Sequence, residues 1–173
     1  ENGLDVEHGR VLYLDYETSQ DEFRDRVRGL MHGLDTTQPS HILYRYCSRP
    51  IVAEVEELQE MVTEHKVDFV VVDSVGSACG AETEGKSEFL LGMFAALRSL
   101  RVTTLLIDHT NKEGQLYGSI YKFNQARSVW EVRRQHELDT DHIHIGLIHR
   151  KLNTGKLLRP LGFDLTFSEQ SVK

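Results

Sequence analysis

Acidic side chains stand at the ends of three apolar runs. "RVLYLDYE" (10–17) closes with Asp15 and Glu17, "VDFVVVDS" (67–74) with Asp73, and "VTTLLIDH" (102–109) with Asp108 and His109. Each run is short and rich in β-formers, so each reads as a strand. The second is too apolar to have a wet face and belongs in a sheet covered on both sides. Ligands of such sheets bind beyond the carboxyl ends of the strands. Carboxylates gathered there suit magnesium and the activation of water. A single strand-end acid can simply cap the next helix, but three such ends in one sheet favour chemistry.

A second motif competes for attention. "GAETEGKS" (80–87) fits G-x-x-x-x-G-K-[ST], the phosphate-cradling loop, through Gly80, Gly85, Lys86 and Ser87. Three physical points count against it. Such a loop starts where its strand stops, so that loop amides and a helix N-terminus converge on the phosphates; here "SVGSAC" separates Asp73 from Gly80. Glu82 and Glu84 lie inside the loop, and at about 5 Å with an effective dielectric near 20 each would repel a phosphate charge by roughly 3 kcal/mol. The spacer from Lys86 to Asp108 also leaves room for only one helix before the acid-bearing strand. The plainer reading is a loop shaped by Gly80 and Gly85, with Thr83 or Ser87 capping the next helix and Lys86 in solvent.

The remaining elements must position these groups. "TSQDEFRDRVRGLMHGL" predicts a helix capped by Thr18 or Ser19, with Phe23, Val27, Leu30 and Met31 at helical spacing. "HILYRYC" (41–47) predicts a strand, "PIVAEVEELQEMVTEHK" (50–66) an amphipathic helix opened by Pro50, and "SEFLLGMFAALRSL" (87–100) another helix. A polar stretch with a short helix leads into "SVWEVRRQ" (128–135), "HIHIGLIHR" (142–150) and "LLRPLGFDLTF" (157–167), three strands expected to close the sheet. Alternation of strand and helix followed by successive strands predicts an α/β fold, parallel at first and antiparallel at one edge.

Composition narrows the classes. The chain has 173 residues, 39% hydrophobic and 27% charged, with a net charge of −7. That allows one domain with a real core and excludes a broadly basic surface for nucleic acid. A local basic patch remains open: Arg127, Arg133, Arg134, Arg150, Lys151, Lys156, Arg159 and Lys173 all fall in the last third. Cys47 and Cys79 form no C-x-x-C pair, which points to a reducing, cytoplasmic setting. No apolar run approaches the roughly 18 residues of a membrane span. His142 and His144 share a strand face while His149 faces the other way, so a structural metal is disfavoured. Asp15 and Glu17 share a face too, as a two-metal nuclease would need, but partner acids and a basic track are missing. Trp130 and Tyr121 could stack on bases, although a single tryptophan in an apolar strand is more often core.

Taken in order, "VLYLDYETSQDEFRDRV", "VDFVVVDSV", "TTLLIDHTNKEG…YGSIYKFNQARSVWEV" and "HRKLNTG" resemble the RecA-like ATPase core, in particular its RepA-type and DnaB-type hexameric helicase branch, the AAA-25 group. The resemblance implies a RecA-like three-layer α/β fold with a mostly parallel sheet and antiparallel edge strands near the C-terminus. It implies that Glu17 polarises the attacking water, that Asp73 holds magnesium through water, and that His109, Asn111 and Lys112 sense the γ-phosphate of ATP. Arg127, Arg150 and Lys151 match basic residues that a neighbouring subunit supplies in trans. A ring-shaped homo-oligomer acting on single-stranded nucleic acid, in replication or recombination, follows from the same resemblance. The family's phosphate-binding loop precedes "VLYLDYE", yet residues 1–9 hold no G-x-x-x-x-G-K. The expectation is therefore a single ATPase core over residues 1–173, truncated at its N-terminus and poor at hydrolysis alone. Two other classes stand beside it: a non-catalytic RecA-like scaffold or regulatory module, and a nucleotide-binding protein that uses Lys86.

Overall fold

The computed structural model describes residues 7–36, 41–80, 87–110, 121–136, 140–169 and 171–172. They divide into two compact units, one holding residues up to Gln20 and Ser40–Tyr121, the other Asp21–Pro39 and Lys122–Lys173.

The first unit is built on a four-stranded parallel sheet in the order β2-β1-β3-β4. Its strands are β1 (Val11–Asp15), β2 (Ile42–Tyr46), β3 (Phe69–Asp73) and β4 (Thr103–Ile107). Leu12 and Leu14 of β1 and Val70 and Val72 of β3 alternate onto one face, where all four are fully buried. Three helices supply the rest of that core: α2 (Ile51–Glu64), the short α3 (Val75–Cys79) and α4 (Ser87–Ser99). Ile51, Leu58 and Val62 of α2 recur at helical spacing and join Leu90, Met93, Phe94 and Leu97 of α4 in one cluster. Pro50 takes the N-cap position of α2 with φ −54, as its sequence position predicts. At the other end Val67 N–H bonds the Val62 carbonyl and Lys66 adopts φ 51, a left-handed helix stop made without glycine.

Register fixes the carboxyl edge. Asp15 pairs with Asp73, and Asp73 with Ile107. From β1 the chain passes to β2 on one side, then returns across β1 to β3 on the other. The crevice beyond the strand ends therefore opens between β1 and β3, where the strand order reverses.

The second unit contains α1 (Gln20–Gly33) and α5 (Tyr121–Gln125), each but for its first residue, and the strands β5 (Ser128–His136), β6 (His142–Leu152) and β7 (Leu161–Thr166). The three strands were expected to close the parallel sheet; instead they pair with one another in a separate antiparallel sheet, β5-β6-β7. Their sequence spacing explains this, since short connections between consecutive strands favour antiparallel neighbours. The α/β architecture holds, and the antiparallel part is a sheet of its own. Val172 N–H also bonds the Gly29 carbonyl of α1, tying the end of the chain to that helix.

Candidate functional site

Glu17, Ser74 and His109 meet at the switch between β1 and β3. The Ser74 hydroxyl donates to Glu17 Oε1, and His109 Nε2 lies 3.0 Å from the same oxygen. A carboxylate only accepts, so Nε2 carries the proton that bridges them. Ser74 is 2% exposed, whereas the His109 side chain is 67% exposed. The Ser74 hydroxyl, followed by His109, holds the Glu17 carboxyl below its usual range. The hydrogen bond to Glu17 in turn raises the His109 imidazole above its ordinary value, against a smaller opposing effect of burial.

Asp15 has a different task. It is almost wholly buried, and it accepts the backbone N–H of Glu17 at 2.9 Å and of Thr18 at 2.8 Å. Thr18 Oγ1 at 2.5 Å and the Tyr44 hydroxyl at 3.3 Å complete its partners. Burial pushes the Asp15 carboxyl up, but these four hydrogen bonds together bring it below its usual value. Burial beside Asp15 pushes the Tyr44 phenol up to about 12. Asp15 therefore anchors the turn that presents Glu17, rather than sharing a metal with it. Thr18 turns its hydroxyl to Asp15, and α1 begins at Gln20.

Asp73 ends β3 next to this pair. The Tyr13 hydroxyl, on β1, donates to Asp73 Oδ2 at 2.6 Å. The peptide between Asp73 and Ser74 is cis. Asp108 accepts the His109 backbone N–H at 3.0 Å. Among the described residues no three His, Cys, Asp or Glu side chains form a metal cage. Asp73 is one hard oxygen donor with its orientation set by a phenol. That suits Mg2+, which keeps most of its ligands as water and phosphate.

The other expected residues are placed as follows. Asn111 and Lys112 lie outside the described residues, as do Gly85 and Lys86. Gly80 closes α3 with φ 94, and Ser87 opens α4. The segment after β3 is helix α3, so the GAETEGKS stretch begins at a helix end rather than a strand end.

In the second unit, Lys151 Nζ donates to the carbonyls of Phe123, Asn124 and Ala126 at 2.7–2.9 Å, closing off α5. Arg150 pairs with Glu131, which also takes Arg133. Arg127 is exposed, and its side chain makes no hydrogen bond or ion pair among the described residues. Trp130 stacks on His149 with centroids 4.2 Å apart and planes 1° from parallel. Buried His149 accepts the Leu158 N–H at Nδ1 and contacts the Ser128 hydroxyl through Nε2 at 3.0 Å. His142 and His144 face Thr166 and Asp164 across the strands. Ser74, Tyr13 and Tyr44 are not singled out by the sequence, and Thr18 stands out there only as a helix cap. "DS" directly after an apolar strand was the available signal for Ser74, whereas the two tyrosines reach their acids only through register.

No described helix is long and apolar enough to cross a membrane. A search of curated proteins found no match. Among solved structures, a KaiC-like protein from the hyperthermophilic archaeon Pyrococcus horikoshii OT3 matches with a TM-score of 0.66 at 15% identity, covering 95% of this chain and 74% of that one. At that identity the likeness concerns the fold, and it supports the RecA-like architecture. Residues 2–115 match the family model of the AAA domain, AAA-25. That segment takes in the parallel sheet and every residue of the Glu17 cluster, and it makes up more than half of the chain; the chain belongs to the AAA-25 family of AAA domains.

Proposed function

We propose that the β1–β3 crevice is the water- and metal-side half of an ATP-hydrolysing site. The observation that carries this reading is the convergence of Ser74 and His109 on one oxygen of Glu17, next to a strand-end aspartate steadied by Tyr13. Glu17 accepts a hydrogen bond from water and aims it along the line of displacement. Its carboxyl is held below the usual range, so it is ionised at neutral pH and ready to accept. Asp73 would be the residue that holds Mg2+, and magnesium when bound would supply charge neutralisation at the phosphates. His109, exposed and held above its ordinary value by Glu17, is placed to offer an N–H to the terminal phosphate.

For the cation contributed by a neighbouring subunit, Arg127 is the preferred residue, because Lys151 and Arg150 are engaged within their own unit. The two units together make one ATPase core. A ring that works on single-stranded nucleic acid in replication or recombination rests on the ordered motifs alone.

The test is ATP hydrolysis by the native protein with and without Mg2+, beside Asp73→Asn. Hydrolysis should require Mg2+ and fall by about a hundredfold or more in the variant. A rate indifferent to Asp73→Asn would overturn the reading. Binding of a fluorescent ATP analogue, compared with Lys86→Ala, separates the competing site: loss of binding there would move the phosphates to GAETEGKS.

A further inference from the structure

Ser74 stands in the N-cap position of α3 with extended backbone, φ −125 and ψ 172. A serine at that position ordinarily turns its hydroxyl onto the free N–H groups of its own helix. Here no side-chain cap bond forms; only the Ser74 carbonyl joins the helix, accepting Ala78 N–H at 3.0 Å. The hydroxyl goes instead to Glu17, 57 residues away in sequence. It does so from a fully buried position, fixed by the backbone of β3 behind it. The second donor, His109, is mostly solvent-exposed and rides on the chain after β4. One donor is therefore held by the core, and the other has room to leave.

We propose that Ser74 is the positioning residue for Glu17, keeping its carboxylate aimed into the crevice while His109 is engaged elsewhere. This rests on the hydrolytic reading given above. The division of labour follows from the burial difference. A charge-assisted bond from a buried hydroxyl survives when the exposed imidazole turns toward a phosphate. Without Ser74, Glu17 would depend on His109 alone, and would lose its orientation whenever His109 moved. The charged groups facing Glu17 are His109 and Asp15, and those facing His109 include Asp108 and Asp73; a Ser74 substitution changes none of them.

Two measurements test this together. The Glu17 side-chain carboxyl is titrated by carbon NMR in the 173-residue chain, with and without Ser74→Ala. The kcat, KM and pH profile of ATP hydrolysis are measured in the native protein carrying Ser74→Ala, Glu17→Gln or both. Ser74→Ala should raise the Glu17 titration toward its ordinary value, because the Ser74 bond is the largest of the effects that lower it. It should lower kcat about tenfold to a hundredfold with KM little changed, and move the acid limb of the profile to higher pH. Added to Glu17→Gln, it should cost nothing more. A Glu17 titration unmoved by Ser74→Ala would overturn the proposal, and so would a further loss in the double variant. A titration that moves while kcat does not would overturn the positioning role as well, whereas a rate unchanged in Glu17→Gln would instead overturn the hydrolytic reading on which the proposal rests.

Discussion

In the four-stranded sheet Leu12, Leu14, Val70 and Val72 are fully buried, although each strand is only five residues long. In the three-stranded sheet the strands β5 and β6 run to nine and eleven residues, yet His149 is the one buried side chain among their described positions. The first unit is held by apolar burial, at about 25 cal/mol for each Å² removed from water. The second relies visibly on polar groups turned inward, with His149 joining Ser128, Leu158 and Trp130, and Lys151 closing three carbonyls. This contrast decides which charged residues are available for chemistry. Where an apolar core carries the fold, strand-end acids are left to serve a ligand. Where lysine and histidine carry it, a basic motif such as "HRKLNTG" is committed to structure.

Core truncation should break this contrast most visibly. Leu14→Ala is expected to lower stability by about 3–5 kcal/mol, while Val132→Ala, 64% exposed on β5, should stay within about 0.5 kcal/mol. Urea titration of each variant checks this, and equal losses would erase the contrast. Next in size, Lys151→Met should cost about 1.5–3 kcal/mol through its three bonds to carbonyls. Hydrogen exchange should quicken along 121–126 and leave β1 and β3 protected.

A smaller gain is expected from Lys66→Gly, about 1 kcal/mol, since glycine carries little penalty at the φ of 51 that ends α2. Thermal melting reads it. The smallest effect is the pH dependence of the Glu17–His109 pair. His109 is raised from 6.5, so its contribution is full below that value and fades as pH rises through the folded-state pKa. Glu17 is lowered from 4.5, so its contribution is full above that value and fades as pH falls through the folded-state pKa. The pair is strongest between those two values. With side chains 67% and 35% exposed, it should be worth under about 1 kcal/mol. His109→Ala should flatten the corresponding part of the stability profile.

Much of the first unit was legible because its signals are local. Apolar runs marked β1, β3 and β4, Pro50 marked the start of α2, and strand-end acids marked the crevice. Glu17, Asp73 and His109 were readable for the same reason, since strand ends of one parallel sheet must lie together. The hydroxyls were not readable. Ser74 reaches Glu17 from the end of the neighbouring strand, and Tyr13 reaches Asp73 only because β1 and β3 pair in the register Asp15↔Asp73. Asp15 resembled a metal ligand in the sequence, and its burial turned it into an anchor. The separate antiparallel sheet also escaped local reading, because β-propensity names a strand and not its neighbour.

The decisive measurement is single-turnover ATP hydrolysis by the native protein, with Glu17 and with Glu17→Gln, at saturating Mg2+ and ATP. The variant should still bind nucleotide and hydrolyse it at least about a hundredfold more slowly. Hydrolysis at the unaltered rate in Glu17→Gln would contradict this role of Glu17 and place the chemistry elsewhere in the protein.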